Sequence, residues 1–399
     1  MDLLFLTGIF PKEKETEILE NSKGNVQNAA NVLQWNLING LDECLGKVSL
    51  LNAVFIGSYP KRYKKLFIPS YRFSHIEGAN DYNVGFCNLM GYKRFSRRKN
   101  INKKVKKWAK DNTPDKVLMA YAMTDSSVSA LKCAKKANKA VKTCLIVPDL
   151  PEFMSMRINS NKVYSALKKI DRKRLYDNLK YVDCFTVLTE QMAERLNIKN
   201  YTVVEGTASD VFKDIERGVD ENKTIVYAGS LAEKYGIVDL IDAFRTIPDK
   251  ELRLVICGKG DAEKYVIKAT QEDDRIKYAG ILLRDDVLKT YLSSSVLVNP
   301  RKNEGEYTKY SFPSKILEYL SSGVPVVAYK LDGMPSEYAG YINYVPDNTT
   351  ESFAKILREV AIDKDGEFKE KALKASEFVK QEKSAKRQVE KILKMINSL

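Results

Sequence analysis

The chain has 399 residues, 44% of them hydrophobic and 30% charged, and its formal net charge is +14. This length is too great for one ordinary hydrophobic core and fits two domains, and the composition is that of a globular protein. No apolar stretch approaches the roughly 18 residues that a membrane-spanning helix needs, which argues against an integral membrane protein.

The N-terminal half alternates between strand-like and helix-like segments. The apolar run at the start of the chain is followed by a turn at Gly8, and it lacks the basic leader and cleavage site of a signal peptide. The six cysteines are scattered, which indicates reduced thiols in a cytoplasmic protein. Residues 57–115 are less regular and are expected to form variable acceptor loops. We predict strands near residues 2–7, 48–56, 117–122, 143–147, 184–188 and 201–205.

The positive charge is concentrated in this half. Residues 1–212 contain 35 Lys and Arg against 21 Asp and Glu, whereas the remaining residues contain 31 of each kind. The segment from Lys93 to Lys110 is the most basic and contains no acidic residue. Three explanations stay open: a solvated helix face, a surface for an anionic membrane or anionic acceptor, and a nucleic-acid groove. The aromatic residues within or beside this segment are Tyr92, Phe95 and Trp108.

The C-terminal half has a more regular pattern. Buried strands are predicted at 223–231, 252–257, 275–279, 295–299 and 324–328, with helical segments between them. This alternation predicts a parallel sheet covered on both faces, and ligands of such sheets bind at the carboxyl ends of the strands. The glycines at those ends are candidates for close contact with a ligand, namely Gly229, Gly236, Gly258, Gly260 and Gly280.

The segment that begins at Tyr310 is the most informative in the chain. Ser311 before Pro313 indicates a helix start, and Lys315 and Glu318 follow within the first two turns. A helix N-terminus with a lysine and a later carboxylate suits a nucleotide, with phosphates at the positive end and the carboxylate on the ribose hydroxyls. A capped helix with a surface ion pair would leave the same pattern.

The preceding strands and this helix together resemble a known family. Residues 223–345 are similar to the donor-nucleotide domain of the family-4 retaining glycosyltransferases. The signature from Tyr310 to Gly323 resembles the branch that builds exopolysaccharide, capsule and O-antigen chains. Residues 147–153, 187–192 and 203–206 resemble the same branch more thinly.

The resemblance implies an α/β architecture, the GT-B fold, with two Rossmann-like doubly wound parallel-sheet domains that face a cleft. Residues 1–206 would form an acceptor-binding domain and residues 207–379 a donor-binding domain. The segment 367–399 has a helical pattern with Leu373 on its apolar face. Its last part, about 380–399, would pack back on the N-terminal domain.

The resemblance also implies the site residues. The catalytic candidates are Lys315, Lys234, Asp149, Glu304 and Glu306, of which the lysines would stabilise the leaving diphosphate. The donor nucleotide would be bound by Gly8, Gly229, Ser230, Gly258, Gly260, Gly280, Ile281, Tyr310, Ser311, Phe312, Pro313, Ser314, Lys315 and Glu318.

Three departures from the family pattern leave roles open. Many relatives use an Arg and a Lys of the first donor-domain loop on the diphosphate. Ser230 and Tyr235 stand at those positions here, with Lys234 one residue away. The family glutamate that usually contacts the transferred sugar is replaced by Tyr310, so that Glu304 or Glu306 would supply the carboxylate. Where relatives offer a His beside an Asp, this chain has Pro148 and Asp149, and its only histidine, His75, is either an acceptor-site base or structural.

The implied reaction transfers a hexose-type sugar from a nucleoside diphosphate, preferably UDP, to a hydroxyl of a saccharide or lipid-linked saccharide, with retention. No cofactor is expected beyond this nucleotide sugar. No metal is expected, because the only Asp-x-Asp, Asp363 to Asp365, lies in a polar linker. The expected partners are the nucleotide-sugar donor, a saccharide or polyprenyl-diphosphate-linked acceptor, and an anionic surface on the inner face of the cytoplasmic membrane.

Two other functions stay open. A GT-B sugar-nucleotide epimerase would bind the same donor without an acceptor, although a single histidine argues against it. A basic nucleic-acid-binding protein would explain the charge of the N-terminal half. It would explain neither the helix at 312–318 nor the glycines, so nucleic acid is not expected as a partner.

Overall fold

The computed structural model describes residues 1–24, 26–153, 171–208, 211–218 and 223–399. These residues form two compact units. The first consists of Met1–Thr207 with Ala385–Leu399, and the second of Ala208–Ser384. In the described ranges, no helix combines the length and the apolar character that a membrane span requires.

The strands and helices alternate along most of the chain. The strands of the first unit are β1 (Asp2–Thr7), β2 (Ser49–Asn52), β3 (Phe67–Ile68), β4 (Tyr71–Phe73), β5 (Asp81–Asn83), β6 (Phe86–Cys87), β7 (Lys116–Tyr121), β8 (Lys142–Val147), β9 (Cys184–Val187) and β10 (Tyr201–Val203). Those of the second unit are β11 (Thr224–Ser230), β12 (Arg253–Lys259), β13 (Ile276–Gly280), β14 (Val296–Asn299), β15 (Val326–Ala328) and β16 (Asn343–Tyr344).

The described α-helices are divided between the same units. In the first unit they are α1 (Glu15–Asn21), α2 (Asn28–Leu45), α3 (Lys93–Ala109), α4 (Asp125–Ala137) and α5 (Glu190–Leu196). In the second they are α6 (Ile237–Thr246), α7 (Glu263–Glu272), α8 (Arg284–Leu292), α9 (Lys315–Ser321), α10 (Thr350–Ile362) and α11 (Glu367–Glu382). The final helix, α12 (Ala385–Asn397), belongs to the first unit.

The first unit is built on an eight-stranded sheet with the order β10-β9-β8-β7-β1-β2-β5-β4. Its neighbouring strands are parallel except for β4 and β5. The six predicted strands are present, but β2 ends at Asn52, earlier than expected. The structure adds β3 to β6 in the irregular region, because strands of two or three residues are too short to show a periodic pattern.

The helices α2 and α12 cover one face of this sheet. Leu37 and Leu41 of α2 share a buried core with Ile392 and Ile396 of α12 and with Phe5 of β1. The apolar residues of α12 recur at spacings of three and four, which places them on a single face of the helix.

The segment predicted as helical at 367–399 forms two helices, α11 and α12, with a break between them. The chain leaves the helix after Glu382, because Ala208 N donates a hydrogen bond to Lys383 O (2.7 Å) and the buried Lys383 Nζ pairs with Glu337 Oε1 (2.5 Å). Leu373, expected on the apolar face, is 53% exposed. The break assigns α11 to the second unit and α12 to the first.

The second unit is built on a six-stranded, fully parallel sheet with the order β13-β12-β11-β14-β15-β16. Numbered from its first strand, this order is 3-2-1-4-5-6, in which the direction of winding reverses between β11 and β14. Helices α6, α7 and α10 bury one face, and α8, α9 and α11 bury the other. The predicted parallel sheet with two covered faces is thus confirmed.

The helix expected from Pro313 begins later. Ser311 is extended (φ −146°, ψ 143°), and Ser314 is the residue that precedes α9. Residues 311–314 connect the 3-10 turn Glu306–Tyr310 to α9 and are not helical.

Candidate functional site

The reversal of strand order in the second unit marks a place where a ligand can bind. Open parallel sheets take ligands beside the carboxyl ends of the strands that flank such a reversal. Here β11 ends at Gly229 and Ser230, and β14 is followed by Pro300. Gly236, at the start of α6, has a φ of +79°, and a Cβ there would lie 2.1 Å from Pro300 O. Glycine at this position lets the two loops touch.

The other predicted glycines lie at the same edge of the sheet. Gly258 in β12 has a φ of +134°, and a Cβ there would lie 1.8 Å from Gly229 O. Gly260 directly follows β12, and Gly280 ends β13. Ile281, just beyond β13, is 74% exposed. The carboxyl edge therefore offers close-packed backbone on one side and an exposed apolar side chain on the other.

The segment from Tyr310 to Ser314 leads from the loop after β14 into α9. Phe312 is buried, with its ring centroid 5.3 Å from that of Tyr338, so it fixes the segment to the core. Pro313 is the next residue in the chain. Tyr310 Oη donates to Glu306 Oε1 (3.2 Å), whereas Glu304 is an exposed residue of the loop.

Tyr319 fixes α9 to the sheet. Its hydroxyl donates to Ala228 O (3.1 Å) and accepts from Ala228 N (3.3 Å), two residues before the end of β11. Its ring packs edge-on against Tyr291 of α8, with centroids 5.2 Å apart. Burial raises the pKa of both phenols, so they remain neutral. The start of α9 is thus held beside β11.

Lys315 and Glu318 lie together on α9, and Arg284 joins them from the start of α8. Lys315 Nζ donates to Tyr291 Oη (3.0 Å) and lies 3.6 Å from Glu318 Oε1. Arg284 Nη1 lies 2.8 Å from Glu318 Oε2. The Glu318 side chain is 19% exposed, and its buried Oε1 accepts no hydrogen bond from the part of the chain that the structure describes. Such an oxygen costs free energy until a ligand supplies a donor.

Arg284 was not predicted as a site residue. It is the first residue of α8 and is preceded by exposed residues of the loop after β13. In the sequence it looks like any charged residue at the start of a helix, and only its pairing with Glu318 in space reveals its position.

Lys234 reaches the edge from the other side. It lies in the short 3-10 turn Glu233–Tyr235 after β11, and its Nζ is 5.2 Å from the centroid of the Tyr235 ring. The structure therefore brings Lys234, Lys315 and Glu318 to one edge of one sheet. Gly8 and Asp149 belong to the other unit.

Gly8 and Asp149 lie at the carboxyl edge of the eight-stranded sheet. Gly8 follows β1, donates its N–H to Gln34 Oε1 (2.7 Å) and packs against the ring of Phe55. That ring is 6.2 Å from the ring of Tyr121, the last residue of β7. Asp149 follows β8 and is exposed, and partial desolvation raises the pKa of its carboxyl group to about 6.

His75 lies away from the carboxyl edge of the eight-stranded sheet, beside the first residue of β5. Its side chain is 2% exposed, with Nδ1 2.6 Å from Asp81 Oδ2 and Nε2 2.9 Å from Asp42 Oδ2. Burial alone would lower its pKa, but the hydrogen bonds to Asp42 and Asp81 outweigh this effect and raise the pKa to about 9. Since it joins α2 to β5, the geometry indicates a structural role.

The basic segment forms α3, and its cations are not all on the surface. Lys93 donates to Ile56 O and Arg97 to Ala53 O, so both hold the loop after β2. Burial lowers the pKa of Lys93 to about 7. Lys93 and Arg97 therefore do not belong to the exposed basic face of α3. The exposed cations of the segment are Arg94, Lys99, Lys103, Lys106, Lys107 and Lys110.

The Asp-x-Asp segment has a local structural role. Asp363 follows α10 and accepts hydrogen bonds from Phe368 N (3.2 Å) and Lys369 N (3.0 Å). It thereby joins the end of α10 to the first turn of α11.

Comparisons with known proteins agree with this geometry. Residues 222–363 match the family model described as glycosyl transferases group 1. A search of curated proteins found no match. Among solved structures, the chain is similar to HepE (Alr3699) of Anabaena in complex with UDP, with a TM-score of 0.66, 14% identity and both chains fully covered. HepE has also been solved with UDP-glucose (TM-score 0.59, 14% identity, 100% and 99% covered).

Two further structures have the same fold. Sucrose-phosphate synthase of Thermosynechococcus elongatus has a TM-score of 0.65 at 14% identity, with 100% of this chain and 99% of that chain covered. The lipopolysaccharide outer core galactosyltransferase WaaB has a TM-score of 0.63 at 16% identity, with the same coverage. The chain thus has the GT-B fold, and the match of residues 222–363 to the group 1 model identifies it as a glycosyltransferase.

Proposed function

We propose that this glycosyltransferase moves a hexose-type sugar from a UDP-sugar to a hydroxyl of a saccharide or lipid-linked saccharide, with retention. The observation that carries the proposal is the cluster of Lys315, Glu318 and Arg284 beside the reversal of strand order. HepE, which shares the fold, binds UDP and UDP-glucose in its solved structures, and this supports UDP as the nucleotide. The signature at 310–323 supports a role in exopolysaccharide, capsule or O-antigen synthesis.

The nucleoside is assigned to the carboxyl edge of the six-stranded sheet. Glu318 Oε1 accepts hydrogen bonds from the ribose hydroxyls, while Arg284 holds the other oxygen of the carboxylate. The exposed Ile281 beside Gly280 offers an apolar contact for the base. Because a hydrogen bond to a charged group contributes about 1.5–3 kcal/mol, Glu318 is the residue on which nucleotide affinity depends most.

In the reaction, the bond between the anomeric carbon and the diphosphate oxygen breaks, and the acceptor oxygen bonds to that carbon. UDP leaves with the electron pair, and the acceptor hydroxyl passes its proton to a phosphate oxygen of the departing UDP. Lys315 and Lys234 stabilise the negative charge that develops on the leaving diphosphate, aided by the backbone N–H groups at Ser314 and Lys315. The chemistry requires no metal in this scheme.

Two carboxylates are assigned to the sugars. Glu306 contacts the transferred sugar in place of the missing family glutamate, and its hydrogen bond with Tyr310 supports it over Glu304. Asp149, at the carboxyl edge of the other sheet, accepts a hydrogen bond from the acceptor hydroxyl. Its pKa of about 6 leaves it mostly ionised at neutral pH.

We also assign the enzyme to the inner face of the cytoplasmic membrane, as a peripheral protein. The exposed lysines of α3 supply positive charge, and Met90, Tyr92 and Phe95 at its N-terminal end are exposed apolar residues. Basic residues near an anionic bilayer contribute about 1 kcal/mol each.

A binding panel tests the donor. The purified chain is titrated with UDP- and GDP-sugars by calorimetry and thermal shift, with and without EDTA. UDP-sugars should bind and raise the melting temperature, unchanged by EDTA. Release of UDP in the presence of saccharide acceptors then tests transfer. Preference for GDP-sugars would overturn the choice of nucleotide, and EDTA sensitivity would overturn metal independence.

A further inference from the structure

Arg301 is a cation at the reversal of strand order that the assignments above do not use. It follows Pro300, directly after β14. Its guanidinium carbon lies 5.7 Å from the centroid of the Tyr235 ring and 4.7 Å from that of Tyr307. Its Nη2 donates to Ser311 Oγ (2.8 Å), and Ser311 Oγ in turn donates to Tyr307 O (3.1 Å). Two rings and a hydroxyl thus hold the guanidinium in one orientation.

This guanidinium is incompletely satisfied. Its Nε is buried and donates no hydrogen bond within the described ranges. No carboxylate of those ranges lies within ion-pair distance of it. Neighbouring cations differ, because Lys302 pairs with Asp239 (2.8 Å) and Arg284 pairs with Glu318 (2.8 Å). A half-buried guanidinium without an acid is stabilised when an anion binds beside it.

A second cation lies close by. Lys234 Nζ is 5.2 Å from the centroid of the same Tyr235 ring that Arg301 contacts, and Lys234 likewise has no acidic partner in the described part of the chain. Two like charges beside one ring repel each other, and an anion that binds to both removes this repulsion. The two loops that carry them touch at Gly236 and Pro300.

We propose that Arg301 binds the diphosphate of the nucleotide-sugar donor together with Lys234. It adds a second cation to Lys234, which is the only cation in the turn Glu233–Tyr235 after β11. A guanidinium presents paired N–H donors that match two phosphate oxygens, which a lysine cannot do. The inference rests on the proposed use of a nucleoside-diphosphate sugar.

The test compares three probes by calorimetry: UDP, uridine and inorganic pyrophosphate. Arg301→Met should weaken UDP and pyrophosphate binding by about tenfold or more and change uridine affinity by less than about twofold. Arg301→Lys keeps the charge and should recover part of the loss. The matched control is Arg253→Met, which removes the same charge in the same unit at the opposite end of β12.

The outcomes separate this inference from the proposed function. Unchanged UDP affinity in Arg301→Met would overturn the inference and leave the donor assignment intact. Equal losses of affinity for UDP and uridine would mean that Arg301 only stabilises the loop. This result would also overturn the inference. If the wild-type chain binds no nucleotide, the proposed function fails. The inference about Arg301 is then tested by pyrophosphate binding alone. Pyrophosphate binding that depends on Arg301 supports the inference, and its absence or independence overturns it.

Discussion

Arg284 and Glu318 form an ion pair at the carboxyl edge of the six-stranded sheet, with Nη1 2.8 Å from Oε2. The other oxygen of the same carboxylate, Oε1, is buried and receives no hydrogen bond within the described ranges. Arg284 therefore holds one oxygen, while the other lies 3.6 Å from Lys315 Nζ and can still accept a hydrogen bond from a ligand. This asymmetry distinguishes Glu318 from an ordinary surface ion pair, whose oxygens are both solvated.

Replacing Glu318 should therefore affect the ligand more than the fold. Glu318→Ala loses a charge-assisted hydrogen bond of about 1.5–3 kcal/mol, so UDP affinity should fall at least tenfold. The melting temperature without ligand should change little, because the variant also removes a buried oxygen that lacks a donor. Calorimetric titration with UDP measures the effect. Glu272→Ala is the control, since that carboxylate pairs with Arg245 (2.5 Å) away from this edge. If Glu318→Ala binds UDP with wild-type affinity, α9 has a purely structural role.

Lys315 should contribute to the binding of the diphosphate and not to the binding of the nucleoside. Its Nζ donates to Tyr291 Oη (3.0 Å) and can turn toward a bound diphosphate. Lys315→Met should weaken UDP binding by about tenfold while uridine binding stays within about twofold of the wild type. Parallel titrations with both ligands provide the measurement. Equal losses for the two ligands would show that Lys315 only supports the helix through Tyr291.

The regular part of the fold could be predicted from the sequence. In the sequence, strands β11 to β15 are apolar runs that end in glycine or in polar loops. They form the expected parallel sheet. Gly236 and Gly258 stand where backbone approaches backbone, which is a local requirement that the sequence displays directly. Lys315 and Glu318 could be selected because both lie on one short helix.

The rest depends on contacts between distant parts of the chain. Arg284 meets Glu318 only after two helices pack on the same face of the sheet. Lys93 and Arg97 looked like surface cations, yet they turn inward because carbonyl groups of the loop after β2 need donors. The break at Lys383 arises from pairing with Ala208, which helix propensity cannot reveal.

The stability of the chain should depend on the protonation of His75. Its pKa is about 9 in the fold and about 6.5 in an unfolded chain. Protonated His75 therefore stabilises the fold fully below about pH 6.5, and this contribution is lost as the pH rises through about 9. It amounts to no more than about 3 kcal/mol.

Urea unfolding between pH 6.5 and 9.5 tests this dependence. The wild type should lose more free energy of unfolding over this range than His75→Gln, which lacks the titrating group. No other histidine contributes, since His75 is the only one in the chain. Parallel pH profiles for the two proteins would contradict the assignment of a charged, structural His75.

Asp149 should affect turnover and not donor binding. If its carboxylate accepts a hydrogen bond from the acceptor, kcat should rise with pH through about 6, the pKa of this group. Asp149→Asn should lower kcat and flatten the acid limb of the profile, while UDP affinity stays unchanged because the donor residues are intact. An acid limb that persists in Asp149→Asn would assign the titration to another group.

The exposed lysines of α3 should bind the protein to anionic membranes. The wild type should co-sediment with vesicles that contain anionic lipid and not with neutral vesicles. Raising the salt should release it, because exposed charges are screened over about 8 Å at physiological ionic strength. Reversing Lys99, Lys103, Lys106 and Lys107 to Glu should abolish vesicle binding and leave UDP binding intact.

The matched control reverses four exposed lysines of α10 and α11, namely Lys355, Lys369, Lys374 and Lys380. Equal losses in both variants would point to net charge alone. Binding that salt does not release would assign the contact to Met90, Tyr92 and Phe95, and tighter binding to RNA than to vesicles would contradict the membrane assignment.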